Sequence, residues 1–464
     1  MAATREAAAS APDAAPPEAL YAKLRPGPGR AAGEVALHQR ARLRGSMVEI
    51  VSERGYDAVT VRELARLAGV STRTFYEHFD SKEACLLDTL DSVIHCAAGH
   101  VVENGERGWQ QQLRFLLLSL ARELERKPQL GRVALVEALS AGPMALRRLR
   151  HAEQAFEGLI EDSFDRAPDR VALSPLVVEG IVAGLLSVAR ARLLAGREQE
   201  LPGLVDELLE WALCYRSEEP AVLEQLEQQL DLKRTAPGGD DAASRIETNG
   251  QAPGDERALI LSAMAKLAAA EGHLELTIPR IRAAAGVSRK SFDESFDSAE
   301  ACFIAALEMH AAHAISHASL AYAEGEDWPE GVHRGIVALC DYIACDPVLT
   351  ALGFVEIFSL GAEGVRTRER LTAQVVELFH GSAPPEQRPG RLAAEASTGA
   401  VWGLIHHHVV SGQMQQLSSV APTLSYLALA PAIGAPAAMD AIRQVATVAA
   451  ETSTPDRQMG RGAS

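Results

Sequence analysis

Two windows of this chain carry one pattern. Placing Thr60 on Thr277 brings Gly69-Val70-Ser71 onto Gly286-Val287-Ser288 and Phe75 onto Phe292. The same offset puts Phe79-Asp80-Ser81 on Phe296-Asp297-Ser298, and Glu83-Ala84-Cys85 on Glu300-Ala301-Cys302. About half the positions in the window are identical. Further on, after a two-residue shift, Trp109 matches Trp328 and Pro128 matches Pro347, and Leu201 to Tyr215 falls on Leu417 to Pro431. Whatever the first half folds into, the second must fold into a variant of it. The chain therefore reads as an internal duplication of a whole unit. Its 464 residues leave room for this, since that length corresponds to roughly three or four ordinary domains.

Within the first window, Thr60 to Lys82 reads as two short helices joined by a tight turn. Thr60 with Glu63 has the spacing of a capping box. Leu64, Ala65 and Ala68 give an apolar face, Gly69 supplies the positive φ that ends the helix, and Val70 plugs the turn. Ser71 caps a second helix running to about Phe79, and Asp80 with Glu83 predicts a box for a third, longer one from near Ser81 past His95. An earlier helix ends at Arg54 before Gly55, with Leu43, Met47, Ile50 and Val51 on one stripe. Together these make a three-helix domain containing a helix-turn-helix. Ser71, Thr72, Arg73 and Thr74 place hydroxyls and a guanidinium at the end of the second motif helix that enters a major groove. Tyr76 and Lys82 can hydrogen-bond phosphates and set register on a duplex. Arg44, Thr60, Arg62 and His78 complete the candidate DNA-binding set.

The segment VSTRTFYEHFDSKEACL, with its Gly-Val-Ser, Phe-Tyr-x-His-Phe and Ser-Lys-Glu elements, resembles the signature of the tetracycline-repressor (TetR) family of bacterial regulators. The resemblance implies an all-α chain of two units, each a three-helix DNA-binding domain followed by a helical ligand-binding and dimerisation domain. The boundaries expected are a disordered arm at 1–33, a first motif domain at 34–80, a regulatory domain at 81–232 and a linker at 233–254. A second motif domain at 255–297, a second regulatory domain at 298–450 and a disordered tail at 451–464 follow. The resemblance further implies a transcription regulator, most simply a repressor, that holds double-stranded operator DNA through helices spaced about 34–36 Å apart. A small-molecule effector of unknown identity would release it, and no cofactor is implied. The competing reading is a scaffold or small-molecule sink of the same fold that has lost operator binding.

The second window departs from the pattern at contact positions. Pro279 replaces Arg62, Asp293 replaces Tyr76, Ser295 replaces His78 and Ala299 replaces Lys82. Thr277, Ser288, Arg289 and Lys290 keep a hydroxyl-bearing, basic start to the second would-be recognition helix. Two readings stay open: a folded module with weakened or lost DNA affinity, or a reader of a different half-site.

The remaining composition narrows the function classes. A net charge of −17 argues against indiscriminate coating of nucleic acid, but Arg40, Arg42, Arg44, Arg54, Arg62, Arg66, Arg73 and Lys82 gather near the first motif. The run KLRPGPGR before the first helix could lie along phosphates or a minor groove, or be a solvated helix approach. No nucleophile elbow, phosphate loop, dinucleotide fingerprint or C-x-x-C pair is present, so nothing points to an enzyme. His310, His313 and His317 share a helix face without a fourth ligand type, and His406, His407 and His408 point around a helix; neither set predicts a metal site. The six cysteines read as free thiols of a reducing, cytoplasmic compartment. No run is expected to be long and apolar enough to cross a membrane.

The last two helices expected in each regulatory domain lie near 173–196 and 201–216, and near 391–411 and 417–432. Val177, Ile181 and Gly184 align with Ala393, Ser397 and Ala400, large residues against small. That complementarity favours an intramolecular pseudo-dimer. A homodimer of whole chains is the rival.

Overall fold

The computed structural model of the chain describes residues 32–99, 108–167, 173–216, 222–223, 225–228, 255–272 and 276–452. The N-terminal arm as far as residue 31, the linker at 233–254 and the tail from 453 lie outside these residues. The first helix already begins at Ala32, two residues inside the expected arm.

Among the described residues there are helices and turns and no strand. The first motif region holds α1 (Ala32–Arg54), α2 (Val61–Ala68), α3 (Thr72–His78) and α4 (Lys82–Gly99). After it come α5 (Trp109–Arg126), α6 (Pro128–Leu135), a 3-10 turn at Glu137–Ser140, α7 (Pro143–Asp165), α8 (Pro175–Leu194) and α9 (Leu201–Leu213). The order then returns with α10 (Glu256–Glu271), α11 (Ile278–Ala285), α12 (Arg289–Ser295), α13 (Ala299–Tyr322), α14 (Trp328–Cys345) and α15 (Pro347–Phe354). A 3-10 turn at Glu356–Leu360 precedes α16 (Gly361–Ser382), α17 (Arg391–Val410), α18 (Ala421–Ile433) and α19 (Ala435–Thr452). Pro128 and Pro347 both open their helices, where a missing N–H costs nothing.

Contacts divide the chain into two compact units, and the division does not follow the sequence repeat. One takes residues up to 107 with 115–155 and 192–202; the other takes 108–114, 156–191 and the chain from 203. In the first unit, Leu43, Met47, Val51, Leu64, Phe75, Leu86 and Leu90 form one core with Val133 and Ala145. Each such side chain stabilises by about 1.5–3 kcal/mol when fully buried. The motif is thus seated on α6 and α7.

In the second unit, helices of both repeats meet. A Cβ added at Gly399 would lie 2.5 Å from Ser187 Cβ, and one at Gly403 would run into Ala183. Gly184 approaches the Ala396 carbonyl and the Trp211 ring closely enough to leave no room for a side chain. Trp211 Nε1 donates to Ser397 Oγ at 3.0 Å, Tyr215 donates to the Leu427 carbonyl at 2.9 Å, and Tyr426 donates to the Tyr215 carbonyl at 2.9 Å. All three donors are buried, so each bond also spares a desolvated polar group.

One expectation needs correcting. The stretch Pro347–Ser382 is long and apolar enough, by composition, to pass as a membrane span. Its most apolar window carries only two carboxylates, Glu356 and Glu363, and no cation, so charge does not interrupt it as it does the helix around Glu179 and Arg190. In the fold it is not one continuous helix but α15, the 3-10 turn and α16, broken at Gly361, and half of the window is buried inside the protein. Cys85, Cys214, Cys302, Cys340 and Cys345 are free; Cys345 is exposed, whereas burial pushes the Cys85 and Cys302 thiols up to about 12.

Candidate nucleic-acid interface

The turn of the first motif is built as its residues dictate. Thr60 Oγ1 accepts from the Glu63 N–H at 3.2 Å, and Gly69 takes φ +63° at the end of α2. Ser71 Oγ accepts from the Thr74 N–H at 3.0 Å and lies 2.9 Å from Thr74 Oγ1. Only half of the expected Thr60–Glu63 box forms, because the Glu63 carboxylate instead pairs with Arg54 at 2.5 Å. The cap of α4 is Ser81, not Asp80: its hydroxyl accepts from the Ala84 N–H at 3.1 Å, three residues on. Phe75 anchors α3 with no exposed surface, and Phe79 packs beside it with ring centroids 5.8 Å apart.

The candidate contact residues divide into two groups. Thr72, Arg73, Tyr76 and Arg62 face solvent; Tyr76 is 58% exposed and the Arg73 side chain 89%, held only by an i,i+4 pair to Glu77 at 3.3 Å. Such a pair in water is worth a few tenths of a kcal/mol, about 0.3–0.5, and yields easily to a base or phosphate. The rest are engaged within the protein. Arg44 donates to Asp88 at 2.6 Å, and Arg40 meets the same carboxylate. Arg42 donates to the Ala68 carbonyl at the end of α2. His78 Nε2 lies 3.1 Å from Gln39 Oε1, and burial followed by the Arg40 charge lowers its pKa, so the ring is neutral at pH 7. Lys82 Nζ donates to the Val59 carbonyl at 3.3 Å and sits 4.6 Å from the Tyr56 ring centre. Thr60 and Ser71 act as caps, and Thr74 gives its N–H and hydroxyl to the Ser71 cap. Burial pushes the Asp88 carboxyl up, but the bonds from Arg40 and Arg44 outweigh it and leave the pKa below its ordinary value. The basic cluster seen in sequence is therefore partly a scaffold holding α1 to α2 and α4.

The second motif keeps this architecture. Gly286 takes φ +69°, Ser288 Oγ accepts from the Ser291 N–H at 3.1 Å, and Phe292 is fully buried. Thr277 precedes α11 but makes no side-chain cap bond. Both exposed cations are tied to acids one turn on: Arg289 to Asp293 at 3.3 Å and Lys290 to Glu294 at 3.6 Å.

A further pair of residues was not singled out from sequence. The Glu137 carboxylate, 2% exposed, sits against Gly55 where α1 ends, and Glu356 sits against Gly272 where α10 ends. The two-residue shift that pairs Pro128 with Pro347 also pairs these acids, which was the available signal.

Away from the motifs, His310 Nδ1 lies 3.3 Å from Asp346, and His317 packs on Tyr342. No metal-holding group of three His, Cys, Asp or Glu occurs among the described residues.

The first motif also matches known proteins in sequence. Residues 48–89 match the family described as bacterial regulatory proteins, tetR family. The HTH-type transcriptional repressor KstR of Mycobacterium tuberculosis is 29% identical over 161 residues, covering 34% of this chain and 70% of that protein. Among solved structures, the fatty acid degradation regulator FadR from Bacillus halodurans aligns at 18% identity and TM-score 0.35, covering 41% of this chain and 97% of its own. FadR from Bacillus subtilis, solved in complex with stearoyl-CoA, aligns at 17% identity and TM-score 0.33, covering 37% and 96%. Residues 48–89, which hold the helix-turn-helix, are thus similar to the N-terminal domain of the tetR family of bacterial regulatory proteins, and the described residues around them are all helix and turn.

Proposed function

We propose that the chain is a cytoplasmic, ligand-responsive transcription regulator, a repressor in its simplest form, built by tandem duplication and acting as an intramolecular pseudo-dimer. The observation that carries the DNA-binding part is the presentation of Thr72, Arg73 and Tyr76 on a capped helix whose opposite side is anchored by Phe75. These groups suit base edges and phosphates. Thr72, Arg73, Tyr76 and Arg62 are the primary contacts in this reading; Arg44, Thr60, Ser71, Thr74, His78 and Lys82 set the geometry and lend hydroxyls and charge at close range. The second motif binds weakly through Thr277, Ser288, Arg289 and Lys290, because Asp293 stands where the first motif has Tyr76, and Pro279 and Ala299 stand where it has Arg62 and Lys82.

The pseudo-dimer is supported by contacts that depend on unlike partners. Along α8 and α17, Ala183 and Gly399 occupy one repeat position, and Ser187 and Gly403 another. The observed pairs are Ala183 with Gly403 and Ser187 with Gly399, one side chain in each slot. Two first repeats in the same geometry would force Ala183 against Ser187, and two second repeats would leave two glycines facing a gap. Trp211 donates to Ser397, but Ser397 falls on Ile181 in the other repeat, which offers no acceptor. An indole N–H buried without its partner costs about 1–3 kcal/mol.

In mechanism, a small molecule that prefers one geometry of the larger helical domains by a few kcal/mol shifts the motif away from the spacing that fits successive grooves. Glu137 against Gly55 is the point where α6 and its following turn reach the motif. A gel shift with the DNA flanking the chain's own coding region tests the reading. A retarded band lost on Arg73→Ala supports it, and no band at micromolar protein favours the scaffold reading.

A further inference from the structure

Several buried positions of the second repeat differ in kind from their counterparts in the first. With the shift that aligns α6 and α15, Leu135, Leu139 and Leu149 fall on Phe354, Phe358 and Arg368. Along α8 and α17, Leu186 falls on Trp402 and Arg190 on His406. Four leucines have become two phenyl rings, an indole and a guanidinium.

In the second unit these residues meet. Trp402 stacks on Phe354 with centroids 4.6 Å apart and planes 18° apart. The Arg368 guanidinium lies 5.6 Å from the Trp402 ring centre and is 5% exposed. Phe358 meets the His406 ring edge-on at 5.4 Å. Arg368 and Arg190 reach the same Glu369 oxygen at 3.3 and 3.6 Å. Burial, then the charges of Arg368 and Arg190, push the His406 pKa down to about 3, so its ring is neutral. Trp402 Nε1 and His406 Nε2 are both closed off from solvent; the indole N–H has no hydrogen-bond partner among the described residues, whereas the His406 ring meets the Phe354 backbone.

A guanidinium buried where leucine serves in the other copy is a costly exchange. An ion pair with Glu369 explains the charge alone. It leaves unexplained the flat aromatic wall beside it and the buried Trp402 N–H with nothing to bind. Apolar walls with a few convergent polar groups are what small-molecule sites present, and a planar guanidinium matches a carboxylate with two parallel bonds.

We propose that this cluster binds an organic acid with an apolar body, its carboxylate meeting Arg368 and its body lying beside the aromatic rings of Trp402, Phe354 and Phe358. The indole N–H supplies a further donor to the acid. This rests on the reading of the larger domains as effector-binding, and narrows it to the second repeat and to carboxylates. The first repeat then reads DNA and the second senses the ligand.

The test is calorimetric titration of the full chain, without DNA, using 2-naphthoate and its uncharged amide, 2-naphthamide. The acid should bind at least tenfold more tightly than the amide. Arg368→Leu, which installs the first repeat's residue, should remove that preference by weakening the acid at least tenfold while sparing the amide. Trp402→Leu should weaken both. A circular-dichroism melt establishes that the variants fold, and Arg368→Gln carries the same expectation if the leucine variant does not. Should neither fold, the acid-to-amide ratio of the unaltered chain decides. Equal affinities, no binding of either probe at millimolar concentration, or a preference that survives loss of Arg368 would each overturn the proposal. Because no DNA is present, failure here leaves operator binding untouched, and failure of operator binding leaves this result standing.

Discussion

At the start of α3 stand Thr72 and Arg73; at the start of α12 stand Arg289 and Lys290. Beneath them the two motifs are alike, with a serine cap, a left-handed glycine at the turn and a phenylalanine without exposed surface in each. One turn further on, the first motif shows Tyr76 to solvent where the second has Asp293 paired to Arg289. Folding requirements have been kept in both copies, while the groups that would face phosphate have been kept in one. A second motif that retains the core residues of the first but not its contact surface still has work as a folded module. Here the contacts of α17 with α8 and of α18 with Tyr215 suggest what that work is.

The largest effect that sharpens this comparison is in pH. His333, buried with Nδ1 2.7 Å from Ser425, has its pKa lowered to about 4 by burial and then by Arg334. An unfolded histidine takes its proton near 6.5. Below that pH the unfolded chain binds a proton that the folded one refuses, so stability falls from about pH 6.5 towards 4. The loss is on the order of 3 kcal/mol for a shift down to about 4. His406 and His408 act in the same direction in the second unit, and half-buried His78 does so in the first. Asp88, with its folded pKa lowered, holds its stabilisation until the pH falls below the ordinary carboxylate range. Melts at pH 7 and 4.5 should show the second unit losing more than the first, with His333→Gln reducing the difference. Parallel losses in both units would break this part of the contrast.

Next in size is the reader itself. If Arg73 meets a base edge, Arg73→Ala costs about 1–3 kcal/mol, roughly 5- to 150-fold in operator affinity, and relaxes preference at one position. Binding equal to that of the unaltered chain would remove Arg73 from the contact set.

The smallest effect is expected from the second motif. Arg289 and Lys290 changed together to Ala should cost less than about 1 kcal/mol, since the second motif has Asp293, Pro279 and Ala299 in place of Tyr76, Arg62 and Lys82 and so lacks the neighbouring contacts that would hold it on the duplex. A loss matching Arg73→Ala, measured by anisotropy on the same duplex, would make the second motif a full reader.

What was legible in the sequence was local. Thr60, Gly69 and Ser71 declare their roles within four residues, because a cap or a left-handed turn is satisfied by its own neighbours. The displacement of the α4 cap from Asp80 to Ser81 shows how narrow that margin is. What could not be read was which candidates were already engaged. Arg44 meets Asp88, His78 meets Gln39 and Lys82 meets Tyr56 across helices that only the fold brings together. The pairing surface was half legible: aligning Ile181 with Ser397 showed the repeats to be unlike there, but the Trp211 donor that uses the difference lies 186 residues from Ser397. No periodicity reports a contact of that range.

The pairing of unlike repeats within one chain is the central proposal, and the mass of the free protein tests it most directly. If Ala183 seats on Gly403 and Trp211 finds Ser397 in its own chain, the dimer interface is already used. Light scattering at micromolar concentration should then give the mass of one chain, 49.6 kDa. A mass twice that, persisting on dilution, would mean that whole chains pair with each other and would contradict the fused pseudo-dimer.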